Sequence, residues 1–254
     1  MFERALEEYP QYSPKALSRD PWVVTFDDFV SAAEADRFVE LCRESFARSM
    51  AGDQVSPVRT SHQCWCQQKC TRDPVVRAVT ARIAGLTSTP EANSEFFQVV
   101  RYEKGQFYKV HHDQNSAPFT PQGARLYTFF IYLNTPAAGG GTRFNDLGIT
   151  VNPRRGSAVL WPSLMDVNVS LPELLTHHEA LPVEEGIKFG ANLWIHMYDF
   201  RTPSTKGCEH TFKNTYDPEA TQQLRRFMDA RRDAGLPYRI PETMKHEAAR
   251  ALRL

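Results

Sequence analysis

The stretch KFGANLWIHMY, residues 188–198, decides the fold because its side chains alternate in character. The odd-numbered positions are apolar, and these are Phe189, Ala191, Leu193, Ile195 and Met197. Most even-numbered positions are polar or aromatic, and these are Lys188, Asn192, Trp194, His196 and Tyr198. Successive side chains of a β-strand point to opposite faces, so the stretch predicts a strand whose odd face packs against helices. The even face then either lines a polar interior or is exposed to solvent.

Short segments of similar texture precede this strand from Glu95 onward. They are rich in Phe, Tyr, Val and Ile and are separated by Gly, Pro and Asn. They predict strands near residues 95–103, 106–113, 125–134, 148–152, 157–161, 176–184 and 187–199. Many short strands with turn signals between them are typical of a sandwich or a barrel. The sequence therefore predicts a mostly β fold with flanking helices.

The flanking helices are expected in the first 94 residues, after a short strand in PWVVTFDDF, from Pro21. Ser31 is a suitable N-cap and Glu34 follows three residues later, which is the spacing of a capping box. Apolar residues at helical spacing continue from there and predict a helix. The segment DPVVRAVTARIAGLT, from Asp73, carries an apolar stripe and predicts a second helix.

Composition and charge narrow the range of functions. The chain has 254 residues, of which 41% are hydrophobic, and its 30 basic and 30 acidic side chains give no net charge. Such a composition is typical of a globular protein with one large or two small domains. A chain without net charge exerts no long-range attraction on nucleic acid or anionic membranes, so we expect neither as a partner. Function must therefore depend on a local site.

The sequence also bears on location. The most apolar run, LYTFFIYLN from Leu126, is too short to span a bilayer. The first ten residues, MFERALEEYP, lack the apolar core of a signal peptide. We therefore expect a cytoplasmic protein, or one of the endoplasmic reticulum or secretory lumen if a leader has been removed.

The cysteines leave three alternatives open. There are five, namely Cys42, Cys64, Cys66, Cys70 and Cys208, so at least one is left outside any intrachain pairs. The cluster CWCQQKC offers zinc ligands, although no second ligand pair follows at the spacing of a zinc finger. It also allows a local disulfide such as Cys66–Cys70, or plain reduced thiols.

Two histidines and an aspartate follow one another in YKVHHDQN, at the end of an expected strand. On a strand, His111 and Asp113 point to one face and His112 to the other. An imidazole and a carboxylate on one face supply two of the three ligands in a facial iron site. A third ligand is expected from a distant strand, where THHEALPVEEG offers His177 and His178. The alternative is an ordinary polar loop, because such triplets are common by chance.

Lys188 begins the last strand on its polar face. A lysine that points into a barrel needs an anion nearby, because an unpaired buried ammonium group is costly. If that face is interior, the sequence predicts an anionic ligand beside Lys188.

These segments resemble the catalytic domain of the prolyl 4-hydroxylases, which belong to the iron(II)- and 2-oxoglutarate-dependent dioxygenases. The resemblance spans residues 95–200 and rests on blocks in the family's order, namely RYEKGQFYKVHHD, RLYTFFIYLN, GGGTRF, VNPRRGSAVLW and HEALPVEEGIKFGANLWIH. A shorter upstream block, VRTS, occupies residues 58–61. The resemblance implies a double-stranded β-helix, or jelly-roll, core.

We expect residues 1–254 to form one catalytic domain. Its jelly-roll core is expected at residues 95–203, on a helical and strand support formed by residues 1–94. Residues 204–254 are expected to form a polar tail with one charged helix, over PEATQQLRRFMDARRDAG.

The family's site residues can be transferred to matching positions. The resemblance implies His111, Asp113 and His178 as catalytic metal ligands. His178 is preferred to His177 because Lys188 follows it after ten residues, as in the family pattern. Residues implied to bind the far carboxylate of 2-oxoglutarate are Lys188, Tyr102 and Thr142.

Substrate-binding positions are also implied by the resemblance, and these are Tyr108, Arg125 and Trp194. Trp194 shares the face of Lys188 in a regular strand. Tyr108 has the wrong parity to share the face of His111, so its assignment requires a bend in that strand.

The implied reaction is hydroxylation of a peptidyl proline. It requires iron(II) as metal cofactor, consumes 2-oxoglutarate and O2, and releases succinate and CO2. Ascorbate is the implied reductant. Asp113 favours hydroxylation over halogenation, because related halogenases lack this carboxylate. Two alternatives remain. One is the same chemistry on another residue or a small molecule, and the other is a non-catalytic metal- or peptide-binding jelly-roll module.

Two segments depart from the family pattern. HQCWCQQKC follows the Arg-Thr-Ser block where many relatives have no cysteine, and LWPS replaces a more usual Phe-containing strand end. Both are expected near the mouth of the site, so they bear on the choice of substrate.

Overall fold

The structure, a computed structural model, describes residues 1–206 apart from 52–53, 56, 115–119, 167–168 and 170. The helix expected in the tail and Cys208 lie outside the described residues. The α-helices of the described part are α1 Phe2–Glu7, α2 Ala32–Cys42, α3 Lys69–Arg72, α4 Pro74–Thr87 and α5 Arg201–Thr205. Short 3-10 helices occupy Pro10–Tyr12, Glu91–Asn93 and Leu174–Thr176.

Strands make up most of the remaining regular structure. Those before residue 95 are β1 Pro14–Arg19, β2 Trp22–Phe26, β3 Ala47–Arg48, β4 Met50–Ala51, β5 Gln54–Val55 and β6 His62–Trp65. Those after it are β7 Gln98–Tyr102, β8 Tyr108–His111, β9 Arg125–Tyr132, β10 Ala138–Gly139, β11 Thr142–Phe144, β12 Ile149–Val151, β13 Ala158–Pro162, β14 His178–Ala180, β15 Val183–Glu185 and β16 Lys188–His196. Every expected strand is present, and the segment at 176–184 divides into β14 and β15. The sequence predictions missed β1, β3 to β6, β10 and β11.

Two facing sheets form the body of the fold. The larger has the order β1-β2-β13-β9-β16-β7-β6-β3, and the smaller has the order β12-β11-β14-β8. A core between them joins Tyr102, Phe130 and Trp161 of the larger sheet to Phe144 and Val151 of the smaller. Two sheets packed over a shared core form the predicted jelly roll.

Helices cover the other face of the larger sheet. Phe38 of α2, Ile83 of α4 and Leu193 of β16 are fully buried in one core. The odd face of β16 therefore packs on helices, as the sequence predicts. Its even face looks toward the smaller sheet, where Lys188 is 1% exposed. The alternative of a solvated even face is wrong, except for Tyr198, which lies beyond the strand end and is 59% exposed.

The two predicted helices have the caps that the sequence indicates. The Ser31 side chain accepts a hydrogen bond from the Glu34 backbone N–H, and the Glu34 carboxylate accepts one from the Ser31 N–H. Asp73 caps α4 by accepting from the Val75 N–H at 3.0 Å. Arg82 of α4 pairs with Glu34 at 2.8 Å, which ties the helices together.

Cys42 is bonded to Cys64, and Cys66 to Cys70. Of the three alternatives for the cysteine cluster, the local disulfide is therefore the one found, and a second bridge joins β6 to α2. No helix among the described residues is long and apolar enough to cross a bilayer.

Candidate active site

The predicted metal ligands meet on the smaller sheet. His111 ends β8 and His178 begins β14, and the two residues pair across these antiparallel strands. Nε2 of His111 is 3.8 Å from Oδ1 of Asp113, and Nε2 of His178 is 3.6 Å from Oδ2. One ligand atom from each residue lies within 4.8 Å of the other two. The structure thus brings together the three residues that the sequence predicts.

Backbone carbonyls set the orientation of both imidazoles. His111 Nδ1 lies 2.9 Å from the Lys109 carbonyl oxygen, and His178 Nδ1 lies 2.9 Å from that of Thr176. A carbonyl oxygen only accepts hydrogen bonds, so each Nδ1 carries the hydrogen. Each Nε2 therefore presents its lone pair toward Asp113, in the arrangement that metal binding requires.

The protonation states suit a metal. Burial lowers the pKa of His111 well below 6.5, and the neighbouring His178 lowers it further, so His111 is neutral at pH 7. Burial alone would raise the pKa of Asp113, but His178, His111 and a hydrogen bond from Thr128 lower it to about 2. The Thr128 hydroxyl donates to Oδ2 at 2.7 Å. Metals bind neutral imidazole and ionised carboxylate, so these side chains are ready as ligands.

The adjacent histidines make separate contacts. His112 Nε2 lies 2.9 Å from the Glu173 carbonyl oxygen, and its ring is 4.9 Å from that of His177. Burial lowers the pKa of His112 to about 3, with a further contribution from His177. His177 Nδ1 lies 2.6 Å from the Leu174 carbonyl oxygen. Neither histidine belongs to the group formed by the predicted ligands.

Lys188 lies among three aromatic rings on the larger sheet. Its Nζ is 5.3 Å from the ring centre of Tyr102 and 5.4 Å from those of Phe130 and Tyr132. Burial lowers its pKa to about 7, and no carboxylate of the described residues forms an ion pair with it. A buried ammonium group without a carboxylate fits an acidic ligand.

Thr142 lies beside this end of the site. The Tyr132 hydroxyl is within hydrogen-bond distance of Thr142 Oγ1, at 2.8 Å, and of the Val151 carbonyl oxygen, at 3.2 Å. The glycines before Thr142 allow its position, because a Cβ on Gly139, at φ +75°, would lie 2.6 Å from the Pro182 carbonyl oxygen. Tyr102 pairs with Lys188 across β7 and β16, as expected for two residues at one end of a ligand.

The three predicted metal ligands line one cavity of about 270 Å³ together with Tyr102, Thr142 and Lys188. Tyr108 also lines it, because the register between β8 and β14 shifts between His178 and Ala180. This bulge supplies the bend that the parity of Tyr108 requires. Trp194 lines the cavity too and is 6% exposed.

Arg125 lines the cavity from within a buried network. Its Nε donates to Glu95 Oε1 at 2.5 Å, and its Nη1 donates to the Asp113 carbonyl oxygen at 3.0 Å. The guanidinium carbon lies 4.1 Å from the Trp194 ring centre. Burial alone would raise the pKa of Glu95, but Arg125 and His196 lower it to about 2. Arg125 thus connects a predicted metal ligand to a predicted substrate residue.

Sequence reasoning gave no role to several residues of the site, namely Arg59, Trp65, Glu95, Thr128 and Tyr132. Thr128 and Tyr132 share a strand face with Phe130, and two polar groups on one face of a buried strand are a signal that could have been used. Arg59 lies in the VRTS block, is 7% exposed and donates to Gln98 Oε1 at 2.8 Å.

Known proteins with similar sequences fit this geometry. Prolyl 4-hydroxylase 2 of Arabidopsis thaliana is 30% identical over 215 residues, which cover 73% of this chain and 71% of the relative. The chain belongs to the prolyl 4-hydroxylase family. Another member, prolyl 4-hydroxylase subunit alpha-3 of Bos taurus, is 36% identical over 74% of this chain but only 36% of its own length.

Two further comparisons agree with this prolyl 4-hydroxylase assignment. Residues 97–196 match the 2OG-Fe(II) oxygenase superfamily model. The crystal structure of the viral collagen prolyl hydroxylase of Paramecium Bursaria Chlorella virus-1, in its 2OG complex, aligns with a TM-score of 0.57 and 27% identity. That alignment covers 68% of this chain and 95% of the viral one.

The site fits the cofactors of this family. Two imidazoles and one carboxylate form the facial donor set of non-haem iron(II) enzymes, and Lys188 offers a buried cation for a dicarboxylate. The prolyl 4-hydroxylase family member described here is thus a 2-oxoglutarate-dependent dioxygenase that uses Fe(II), 2-oxoglutarate and O2.

Proposed function

We propose that this enzyme hydroxylates a proline within a peptide or protein, with release of succinate and CO2. The observation that carries the proposal is one cavity that holds both the His111–Asp113–His178 group and the buried Lys188. The second support is the similarity to prolyl 4-hydroxylases over most of this chain.

The three ligands have defined tasks in this proposal. His111, Asp113 and His178 hold iron(II), which supplies the O2-dependent decarboxylation of 2-oxoglutarate and the oxidation of substrate. The hydrogen bonds from each Nδ1 to backbone oxygen fix the imidazoles before the metal arrives. Three ligands on one side leave neighbouring coordination positions for ligands other than protein.

The far carboxylate of 2-oxoglutarate is proposed to bind beside Lys188 in this cavity. Lys188 provides the charge, and the aromatic rings around it exclude water, which strengthens the ion pair. The Thr142 hydroxyl, which lines the same cavity, offers a second hydrogen bond to this carboxylate. Tyr102, which pairs with Lys188 across β7 and β16, would contact the same carboxylate.

The peptide binds against the aromatic part of the lining. Tyr108 and Trp194 offer apolar surface, and an extended proline-rich peptide presents a preformed polyproline II helix to it at little entropic cost. Arg125 supports this surface through its contact with the Trp194 ring.

Ascorbate is proposed as the reductant that returns oxidised iron to the ferrous state after uncoupled turnover.

The two disulfides support a location in an oxidising compartment such as the secretory lumen. Titration of native protein from its own cell with a thiol reagent tests the location. If the protein resides in an oxidising compartment, the four bridged cysteines do not react and one thiol per unfolded chain is expected. Five reactive thiols would indicate a reducing compartment.

The decisive experiment offers proline-rich peptides to enzyme supplied with iron(II), 2-oxoglutarate and O2. We expect succinate formation to rise with peptide concentration and each modified proline to gain one oxygen by mass. If no proline-containing peptide gains oxygen while 2-oxoglutarate is still decarboxylated, the chemistry stands and the substrate is wrong.

A further inference from the structure

Trp65 is an aromatic residue of the cavity lining that remains 39% exposed. It ends β6, and its ring centre lies 6.0 Å from that of Trp194, with the two planes inclined at 44°. The inner indole, Trp194, is 6% exposed. The two rings therefore form a corner that begins at the protein surface and continues into the cavity.

The inner indole has an unused hydrogen-bond donor. Trp194 Nε1 is buried and has no hydrogen-bond partner among the described residues. A buried N–H without an acceptor is costly, so it marks a place where a ligand can supply one. Arg125 lies over the Trp194 ring at 4.1 Å, which holds the indole in place. A carbonyl oxygen of a bound peptide has the chemistry to accept from this N–H.

Disulfides fix the outer indole on both sides. Cys64, the residue before Trp65, is bonded to Cys42 of α2, and Cys66, the residue after it, is bonded to Cys70 of α3. The Cys66 N–H also donates to the Phe97 carbonyl oxygen at 2.8 Å. The backbone at Trp65 is thus anchored to two helices and to the neighbouring chain segment. A backbone held in this way loses little conformational entropy when the ring that it carries binds a ligand.

We propose that Trp65 determines peptide specificity by forming, with Trp194, a binding corner for the proline ring next to the target residue. The inference rests on the proposed function and deepens it. The apolar pyrrolidine ring packs against the exposed face of Trp65, and the adjoining peptide carbonyl accepts from Trp194 Nε1. The two disulfides are part of this device because they hold Trp65 against Trp194 before the peptide arrives.

The test separates peptide binding from the chemistry at the metal. For Trp65→Ala, we expect the KM for a proline-rich peptide to rise at least about tenfold, as for loss of a central aromatic contact. The KM for 2-oxoglutarate and the peptide-independent formation of succinate stay at the wild-type level. Trp65→Phe keeps most of the peptide affinity because it keeps a ring. Leu17→Ala is the matched control, since Leu17 is 43% exposed but lies outside the cavity.

A separate variant tests whether the disulfides position Trp65 for peptide binding. Cys66→Ala/Cys70→Ala removes the bridge of shorter span and leaves Cys42–Cys64 intact. We expect the peptide KM to rise toward that of Trp65→Ala, with unchanged peptide-independent turnover as evidence that the fold persists. An unchanged peptide KM in this variant overturns the anchoring role, and an unchanged peptide KM in Trp65→Ala overturns the corner itself. If the wild type hydroxylates no proline peptide, the proposed function fails first and this inference with it.

Discussion

Tyr108 stacks on His111, with ring centres 3.6 Å apart and planes inclined at only 17°. Three positions separate the two residues on β8, so a regular strand would place them on opposite faces. The register shift between β8 and β14 brings them to the same face. Arg59 in turn lies over the Tyr108 ring at 4.7 Å. A residue assigned to the substrate thus also supports a metal ligand.

Tyr108→Ala should therefore weaken metal binding as well as peptide use. We expect a loss of roughly tenfold in metal affinity, because contacts that orient a ligating histidine typically contribute that much. Anaerobic calorimetric titration with iron(II) measures it. Tyr108→Phe keeps the ring and should bind metal like the wild type. If Tyr108→Ala binds iron(II) with wild-type affinity, Tyr108 contributes to substrate binding and not to the metal site.

The metal ligands can be told apart from their neighbours by single substitutions. His111→Ala, Asp113→Ala and His178→Ala should each abolish turnover and one-to-one iron(II) binding, because each removes one of the three donors of this group. His112→Ala and His177→Ala are matched controls, because their side chains contact backbone oxygens outside this group. Both controls should retain turnover. Activity in His178→Ala together with its loss in His177→Ala would show the assignment to be wrong by one residue.

Alternation along single strands was enough to predict a sandwich or barrel and to place His111 and Asp113 on one face, whereas the jelly roll was implied by the family resemblance. Alternation within one strand failed to predict features that depend on how two strands pair. The bulge of β8 depends on its pairing with β14, which alternation within one strand does not encode. Glu95 and Arg125 are 30 residues apart in sequence, and they meet because both lie against the end of β16, where Arg125 pairs with His196 and the Glu95 N–H donates to the Trp194 carbonyl oxygen. The resemblance named Arg125 but could not reveal its buried partner.

Lys188→Ala should raise the requirement for 2-oxoglutarate while iron(II) binding stays nearly intact. The variant removes a charge-assisted pair in a cavity with little water, which costs on the order of 2–4 kcal/mol, or roughly 30- to 1000-fold in affinity. The KM for 2-oxoglutarate and an iron(II) titration measure the two effects. Lys109→Ala serves as control, because its side chain is exposed on the strand that carries His111. An unchanged KM in Lys188→Ala removes the lysine from the site.

The affinity for 2-oxoglutarate should depend on pH above neutrality. In the protein without ligand, burial lowers the Lys188 pKa from 10.5 to about 7, so the amine becomes neutral as the pH rises through 7. The ligand carboxylate pairs with the charged form, and its affinity should weaken by about tenfold per pH unit from pH 7 to about 9. Because the unfolded chain binds the extra proton between these pKa values, stability of the unliganded protein should rise over the same window. Lys188→Met should lose both dependences, as binding and thermal unfolding at several pH values would reveal.

Arg125→Ala should lower peptide hydroxylation and peptide-independent succinate formation in parallel. The substitution leaves the Glu95 carboxylate buried with His196 as its remaining close partner, and it removes the hydrogen bond to the Asp113 backbone. Breaking a buried pair by removing one partner costs roughly 3–5 kcal/mol of unfolding free energy. Arg19→Ala, which breaks an exposed pair with Glu3, should cost below about 1 kcal/mol.

Acid titration distinguishes this network from a direct contact between Arg125 and the peptide. The Glu95 pKa is lowered from 4.5 to about 2, so the pair stabilises the fold above pH 4.5 and loses that contribution as the pH falls toward 2. The difference in unfolding free energy between wild type and Arg125→Ala should therefore shrink over this window, as denaturant titrations at each pH would measure. If Arg125→Ala instead keeps wild-type stability and loses only peptide use, Arg125 contacts the peptide itself, and the ion pair with Glu95 contributes little to the site.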